Sequence, residues 1–186
     1  MAGAGYVALL RGINVGGRNI VRMADLRAAF EDAGYAAVGT YIQSGNVLFE
    51  SAVPLTSLES DIERMLADRF GLSVVVVVRS HRQHRDVVNR APDGFGTEPD
   101  SYHSDVIFLK APLSSRHAMR VVDPRDGVDQ VWPGEGVIYF SRLSKRLSQS
   151  RMSRIASSPL YQNMTIRNWR TTTKLLSLLD QRVEKN

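Results

Sequence analysis

Apolar and polar positions along this chain switch repeatedly between a two-residue and a 3.6-residue period, and the switches mark out its elements. Tyr6–Leu10 is a short apolar run closed by Arg11-Gly12, the pattern of a buried strand. Gly12–Arg22 holds Gly12, Gly16, Gly17, Asn14 and Asn19 and reads as a loop. Met23, Leu26, Phe30 and Ala33 follow at helical spacing, with Gly34 placed to end the helix. Thr40–Gln43 and Val47–Glu50 flank Ser44-Gly45-Asn46, residues that tolerate positive φ, so a hairpin is expected. Thr56 with Glu59 fits a capping box ahead of the stripe Leu58, Ile62, Met65, Leu66 and Phe70, and Gly71 stands where a C-cap belongs. Val74–Val78 has no polar residue at alternate positions, which predicts a strand buried on both faces.

The second half repeats this order. Ser104–Leu109 is strand-like, and Ser114–Val122 is helical with Ser114 or Ser115 as N-cap. Val128–Trp132 and Val137–Arg142 flank the turn Pro133-Gly134-Glu135-Gly136. Ser150–Ala156 reads as a short helix, Met164–Asn168 as a strand and Thr171–Leu179 as a terminal helix. Between the halves, His81–Ala91 is helical and Pro92–Tyr102 is a linker rich in Pro, Gly and acidic residues.

A βαββαβ order with a glycine hairpin between its second and third strands most simply makes a split-βαβ sandwich. The expected fold is therefore α+β, two tandem ferredoxin-like βαββαβ units with an extra linking helix and a C-terminal helix. Their expected bounds are residues 1–80 for the first unit, 81–102 for the helix and linker, and 103–186 for the second unit with the C-terminal helix. The rival reading is a single mixed sheet.

Composition narrows the class. The chain has 186 residues, 43% apolar and 23% charged, close to the globular average, so wholesale disorder is not expected. Cysteine is absent, which excludes a disulfide scaffold, a cysteine nucleophile and a thiolate metal site. The N-terminus lacks a positively charged n-region, and the longest apolar run, Val74–Val78, is far short of the ~20 residues of a membrane helix, so a cytoplasmic protein with no membrane partner is expected.

Charge is unevenly spread. Formal net charge is +5, yet Gly136–Leu179 contains no acidic residue and eight basic ones: Arg142, Lys145, Arg146, Arg151, Arg154, Arg167, Arg170 and Lys174. The rest of the chain holds 16 basic against 19 acidic residues, so the whole basic excess lies in the C-terminal quarter. A field of one sign attracts polyanions and anionic ligands. The plainer alternative is a solvated face balanced by Glu59, Asp61, Glu63 and Asp68.

Strand direction makes a sharper prediction. In a split-βαβ unit, the loop after the first strand and the hairpin between strands two and three lie at the same end of the sheet. Arg11, Gly12, Asn14, Gly16, Gly17 and Arg18 then sit beside Gln43, Ser44, Gly45 and Asn46. Arg22 follows just before the helix, and the loop contains no carboxylate. Backbone amides, arginines and a helix N-terminus at a concave edge suit a phosphate or carboxylate. The competing reading is turn chemistry alone, with glycines making turns and asparagines capping them. Asn168, Trp169, Arg170 and Lys174 form a second patch across a strand end and a helix start, where Thr171 or Thr172 can cap. Positive side chains there oppose the helix dipole, which an anion would compensate. Trp169 can stack on a ring or pack as core.

Standard catalytic signatures are missing. Gly12–Arg18 does not fit the phosphate-loop spacing, and neither G-x-S-x-G nor H-E-x-x-H occurs. His81 and His84 lie three apart on an expected helix, without a third ligand nearby, so no metal or other cofactor is identified. Carboxylates concentrate on the exposed faces of expected helices, and no general acid/base pair stands out. The strands lack the aromatic pattern of RNA-recognition domains, although Val137–Arg142 comes nearer to it.

Ala8–Gly17 (Ala-Leu-Leu-Arg-Gly-Ile-Asn-Val-Gly-Gly), Met23–Leu26, Thr40–Val47 (Thr-Tyr-Ile-Gln-Ser-Gly-Asn-Val) and Thr165–Trp169 (Thr-Ile-Arg-Asn-Trp) together resemble domain-of-unknown-function family 1697, a group of uncharacterised, mostly bacterial proteins. The likeness covers nearly the whole chain. It implies duplicated ferredoxin-like units and carries no activity, cofactor or substrate. Its matching signature positions are Arg11, Gly12, Asn14, Gly16, Gln43, Ser44, Gly45, Asn46, Asn168, Trp169 and Lys174; Arg142–Ser150 departs, where relatives tend to carry glycine. The leading functional expectation is binding of a phosphorylated or other anionic small ligand at the loop–hairpin edge. Its alternatives are an enzyme using the same polar cluster, nucleic-acid binding through the basic quarter, and a purely structural or partner-binding role.

Overall fold

The computed structural model describes residues 4–183. Its α+β architecture contains two four-stranded antiparallel sheets with several helices. The single mixed sheet is thereby set aside. Two compact units divide the chain: one runs to Arg85 and resumes at Leu175, and the other is Asp86–Lys174.

In the first unit the strands are β1 (Ala4–Leu10), β2 (Ala36–Tyr41), β3 (Asn46–Ser51) and β4 (Val76–Ser80), in the order β2-β3-β1-β4. Helices α1 (Met23–Asp32) and α2 (Leu55–Phe70) fill the two crossovers. The apolar stripe Leu26, Phe30, Leu58, Ile62 and Leu66 packs on Ala8, Leu10, Val47, Phe49, Val76 and Val78 from the sheet. At about 1.5–3 kcal/mol per fully buried side chain, this layer is the main source of stability. The expected strand Val74–Val78 is shifted: β4 starts at Val76, and Val76, Val77 and Val78 are buried while Val75 is half-buried. Gly71 ends α2 in the left-handed region.

The capping box is a correction. Helix α2 begins at Leu55 behind Pro54, with no side-chain cap. Glu59 Oε1 instead accepts the backbone N–H of Val78 (3.0 Å), and Glu63 Oε1 accepts that of Val76 (2.8 Å). Strand β4 is an edge strand, so its outward N–H groups need partners, and two glutamates one helical turn apart supply them.

Helix α3 is His81–Asn89 and helix α6 is Trp169–Val183. Residues of α6 from Leu175 onward group with the first unit, not with the second. There Arg182 Nη1 donates to Ala37 O (2.6 Å), and Asp180 Oδ1 accepts from His81 Nε2 (2.6 Å) and Arg85 Nη2 (3.0 Å).

The second unit orders its strands β6-β7-β5-β8, from β5 (Tyr102–Leu109), β6 (Asp129–Gly134), β7 (Val137–Leu143) and β8 (Met164–Asn168). Its helices are shorter: α4 is Ser115–Ala118, capped by Ser114, and α5 is Met152–Ala156. Ile107, Leu109, Ile138, Phe140 and Met164 pack on Leu113, Ala118, Met152 and Ile155. With so little helix, side chains fix the loops. Buried Asp129 accepts the N–H groups of Arg125 (3.0 Å) and Arg151 (2.9 Å). Tyr139 donates its hydroxyl to Val87 O (2.6 Å), and burial pushes its phenol up to about 12. Arg142–Ser150 leaves β7 into a 3-10 segment over Ser144–Gln149.

Candidate functional site

The structure brings the first loop and the hairpin to one rim. Leu10 N–H donates to Gly45 O (2.8 Å), so the hairpin abuts the end of β1. A Cβ at Gly45 would lie 2.9 Å from Leu10 Cβ and 3.1 Å from Ile13 Cβ, so only glycine allows this approach. Asn14, itself at φ 55°, completes the join: its Nδ2 donates to Gln43 O and to Val21 O (2.9 Å each), and its Oδ1 accepts Val21 N–H (2.8 Å).

Most of the rim's neutral polar groups are used internally. Asn19 Nδ2 donates to Gly12 O (3.1 Å), and Asn14 N–H donates to Asn19 O (3.1 Å). Between them Val15–Arg18 forms a two-residue turn, with Gly16 and Gly17 at φ 60° and 73° and Arg18 N–H on Val15 O (3.1 Å). Asn46 is fully buried and donates to Tyr41 O (3.0 Å) and Ser44 Oγ (3.1 Å). These asparagines and glycines therefore do build turns.

What remains outward is more selective. Arg18 and Gln43 are exposed, and Arg11 is half-buried. The N–H groups of Gly16 and Gly17 and the Arg18 guanidinium have no partner among the described residues. Arg22 is exposed but committed: it binds Asp25 through two N–H groups, and that hydrogen bonding holds the Asp25 carboxyl below its ordinary range. Val15, Ile20 and Ile42 add exposed apolar surface to the same loop and hairpin.

The patch at Asn168–Lys174 lies in the second unit, where its first three residues border a cleft of about 450 Å³. Here too one expectation is corrected. Asn168 Oδ1 accepts Thr171 N–H (2.7 Å), so Asn168 caps α6, and the helix begins two residues before Thr171. Trp169 is half-buried, edge-to-face with Phe95 at 5.1 Å, so it packs as a wall of the cleft. Arg170 and Lys174 are exposed, one turn apart; Arg170 borders the cleft and Lys174 is not among its lining residues.

Sequence reasoning missed three residues here. His103 lines the cleft, with Nε2 3.4 Å from Asp105 Oδ1, and Arg142 Nη2 donates to Asp105 Oδ2. Asp105 is a buried carboxylate on a strand, not one on an exposed helix face. The signal was available: His103 and Asp105 are two apart on a strand, hence on one face. The facing arginine is set by the β5–β7 register, which pairs His103 with Arg142.

The basic quarter is also less free than its composition implies. Arg142 is paired with Asp105, and Arg151 and Arg154 both bind Asp123. Arg167 is buried, and desolvation lowers it to about 10. Lys145, Arg146, Arg170 and Lys174 remain exposed without an ion pair among the described residues. No group of three or more His, Asp or Glu among the described residues is arranged to hold a metal, and none of their helices is long and apolar enough to cross a membrane.

Comparison with known proteins places this geometry in context. The solved structure of a conserved bacterial protein from Streptococcus pneumoniae is similar, with a TM-score of 0.83 and 25% identity over 95% of this chain and 98% of that one. No curated protein matches the sequence. Residues 4–139 match the family described as Protein of unknown function (DUF1697). That match spans well over half of the chain, and the protein belongs to the DUF1697 family.

Proposed function

We propose that the protein binds a phosphorylated or otherwise anionic small ligand at the loop–hairpin rim of its first unit. One observation carries the reading: the rim's asparagines are spent on holding its shape, while Arg18 and the amides of Gly16 and Gly17 stay outward as donors beside the exposed Gln43, whose side chain can donate as well as accept. Free amides and a guanidinium on a loop without a carboxylate favour an acceptor of negative charge. Arg11, at the root of the loop, adds a second positive charge.

The finer architecture belongs to the same proposal. We read each unit as ferredoxin-like, supported by the shared order in which the first strand of each half lies between the third and the fourth. In that arrangement the loop after the first strand and the central hairpin share an edge, the juxtaposition the ligand site requires.

Isothermal titration of a panel of nucleotides and sugar phosphates tests the function. Wild type is expected to give saturable heats with at least one ligand, and Arg11→Ala or Arg18→Ala to weaken it about tenfold, the effect of losing one charge-assisted contact. Null heats for wild type and variants alike overturn the proposal.

A further inference from the structure

We infer that the second unit carries a ligand site of its own, a cleft that takes an anion joined to a planar ring. It is independent of the rim in the first unit.

The volume, about 450 Å³, lies in the range of small-molecule sites and is far larger than a lone phosphate needs. Its apolar side is made by Tyr102, Pro99 and Trp169. Trp169 is held rigidly there. Phe95 meets it edge-on, and the backbone of Gly96 lies so close that a Cβ would fall 2.0 Å from Trp169 Cδ1. Glycine at φ 73° lets the linker press against the indole, so the wall is built before any ligand arrives.

The polar side offers donors. Asn168 has committed its Oδ1 to the Thr171 amide, which leaves its Nδ2 hydrogens. Ser104 Oγ is spent on Ser141 Oγ at 3.1 Å. Arg170 is exposed and without an ion pair among the described residues. No carboxylate among the described residues lines the cleft; Asp105 is buried, held by Arg142 and set against His103 Nε2. Burying a carboxylate is costly unless it is paired. His103, an exposed residue lining the cleft, stands with Nε2 3.4 Å from Asp105 Oδ1. A cleft lined by an aromatic wall, a guanidinium, an amide donor and an imidazole matches a ring-bearing phosphate or carboxylate.

The test uses the full chain with four probes: phenyl phosphate, a nucleoside 5′-monophosphate, the free nucleoside and inorganic phosphate. Binding is read by titration calorimetry and by tryptophan fluorescence in a Trp132→Phe background, which leaves Trp169 as the reporter. At least one ring-bearing phosphate is expected to saturate and change Trp169 emission, with the nucleoside and inorganic phosphate at least tenfold weaker. Arg170→Ala, on an exposed helix surface, is expected to weaken binding about tenfold with the far-UV spectrum and melting temperature unchanged; His103→Gln is expected to act in the same direction. Absence of saturable binding at millimolar concentration overturns the inference. So does affinity indifferent to Arg170→Ala and His103→Gln. Loss of binding in Arg18→Ala alone also overturns it, by assigning the anion to the rim of the first unit.

Discussion

Asn14 Nδ2 donates to the carbonyl of Gln43 at 2.9 Å, across 29 residues of sequence. The same side chain bonds both backbone groups of Val21, so one amide joins the loop, the entry to α1 and the hairpin. Removing it leaves polar backbone groups unmet in a half-buried place. Asn14→Ala is expected to lower unfolding free energy by about 2–3 kcal/mol, from lost hydrogen bonds and from a Cβ-bearing residue without Asn's compensation in the left-handed region. Asn14→Gly relieves the backbone part and should be less destabilising by about 1 kcal/mol. Urea denaturation of the three proteins measures both differences, and equal loss in the two variants would show that the backbone conformation contributes nothing.

Gly45 and Gly16 share a left-handed φ but not a neighbourhood. Around Gly45 a Cβ meets Leu10 and Ile13 at about 3 Å, whereas around Gly16 it meets nothing within 4 Å. Gly16→Ala is expected to cost about 1 kcal/mol, the conformational term alone. Gly45→Ala adds overpacking of about 1–3 kcal/mol and should separate the hairpin from β1. Thermal melting ranks the two variants, and amide exchange at Leu10, which bonds Gly45 O, should accelerate in Gly45→Ala only.

Much of this fold is legible from residue pattern because it depends on local period and turn chemistry. The buried valines at 76–78 and the glycines at 45 and 71 need only the rules of strand burial and left-handed turns. The juxtaposition of residues 11–19 with 43–46 follows from strand direction once the element order is known. What pattern does not reveal is the destination of a side chain. Glu59 stands at the spacing of a capping box but reaches Val78, because an edge strand's free amide is the stronger demand. Asn168 outcompetes Thr171 as cap because its side chain lies one residue outside the helix, where an amide oxygen can turn back. Asp105 escaped notice because a buried carboxylate is exceptional, and its partner Arg142 is 37 residues away.

The two glutamates on α2 make a testable device. Glu59 and Glu63 occupy the outward amides of β4, which would otherwise template another strand. Glu63→Ala is expected to cost about 1–2 kcal/mol through one unmet donor. In the Glu59→Ala/Glu63→Ala double variant, the Val76 and Val78 amides should exchange on the order of tenfold faster, following the lost hydrogen bonds. The Val77 amide should change little, since the alternate position on β4 is not one the glutamates reach. Uniform acceleration along β4 would mean that the glutamates act on global stability instead. Light scattering should also rise with concentration in the double variant, because its sheet edge is open.

Asp180 gives the first unit a pH-dependent term of known sign. Burial alone would raise its carboxyl, but the hydrogen bonds from His81 and Arg85 outweigh that and hold it below the ordinary 3.8. Folding therefore favours the ionised form. Its stabilisation is fully present above the unfolded value and disappears as pH falls through the lower, folded one. The Asp180 side chain is 41% exposed, so solvent screens the pair and the effect is modest, below about 1 kcal/mol. Asp180→Asn should accordingly be less stable than wild type at pH 7, and the gap should close as pH drops below about 4. Denaturation midpoints measured from pH 7 down to pH 3 report the gap directly. A difference that stays constant over that range would assign the loss to packing of α6 against α3 and not to the charge on Asp180.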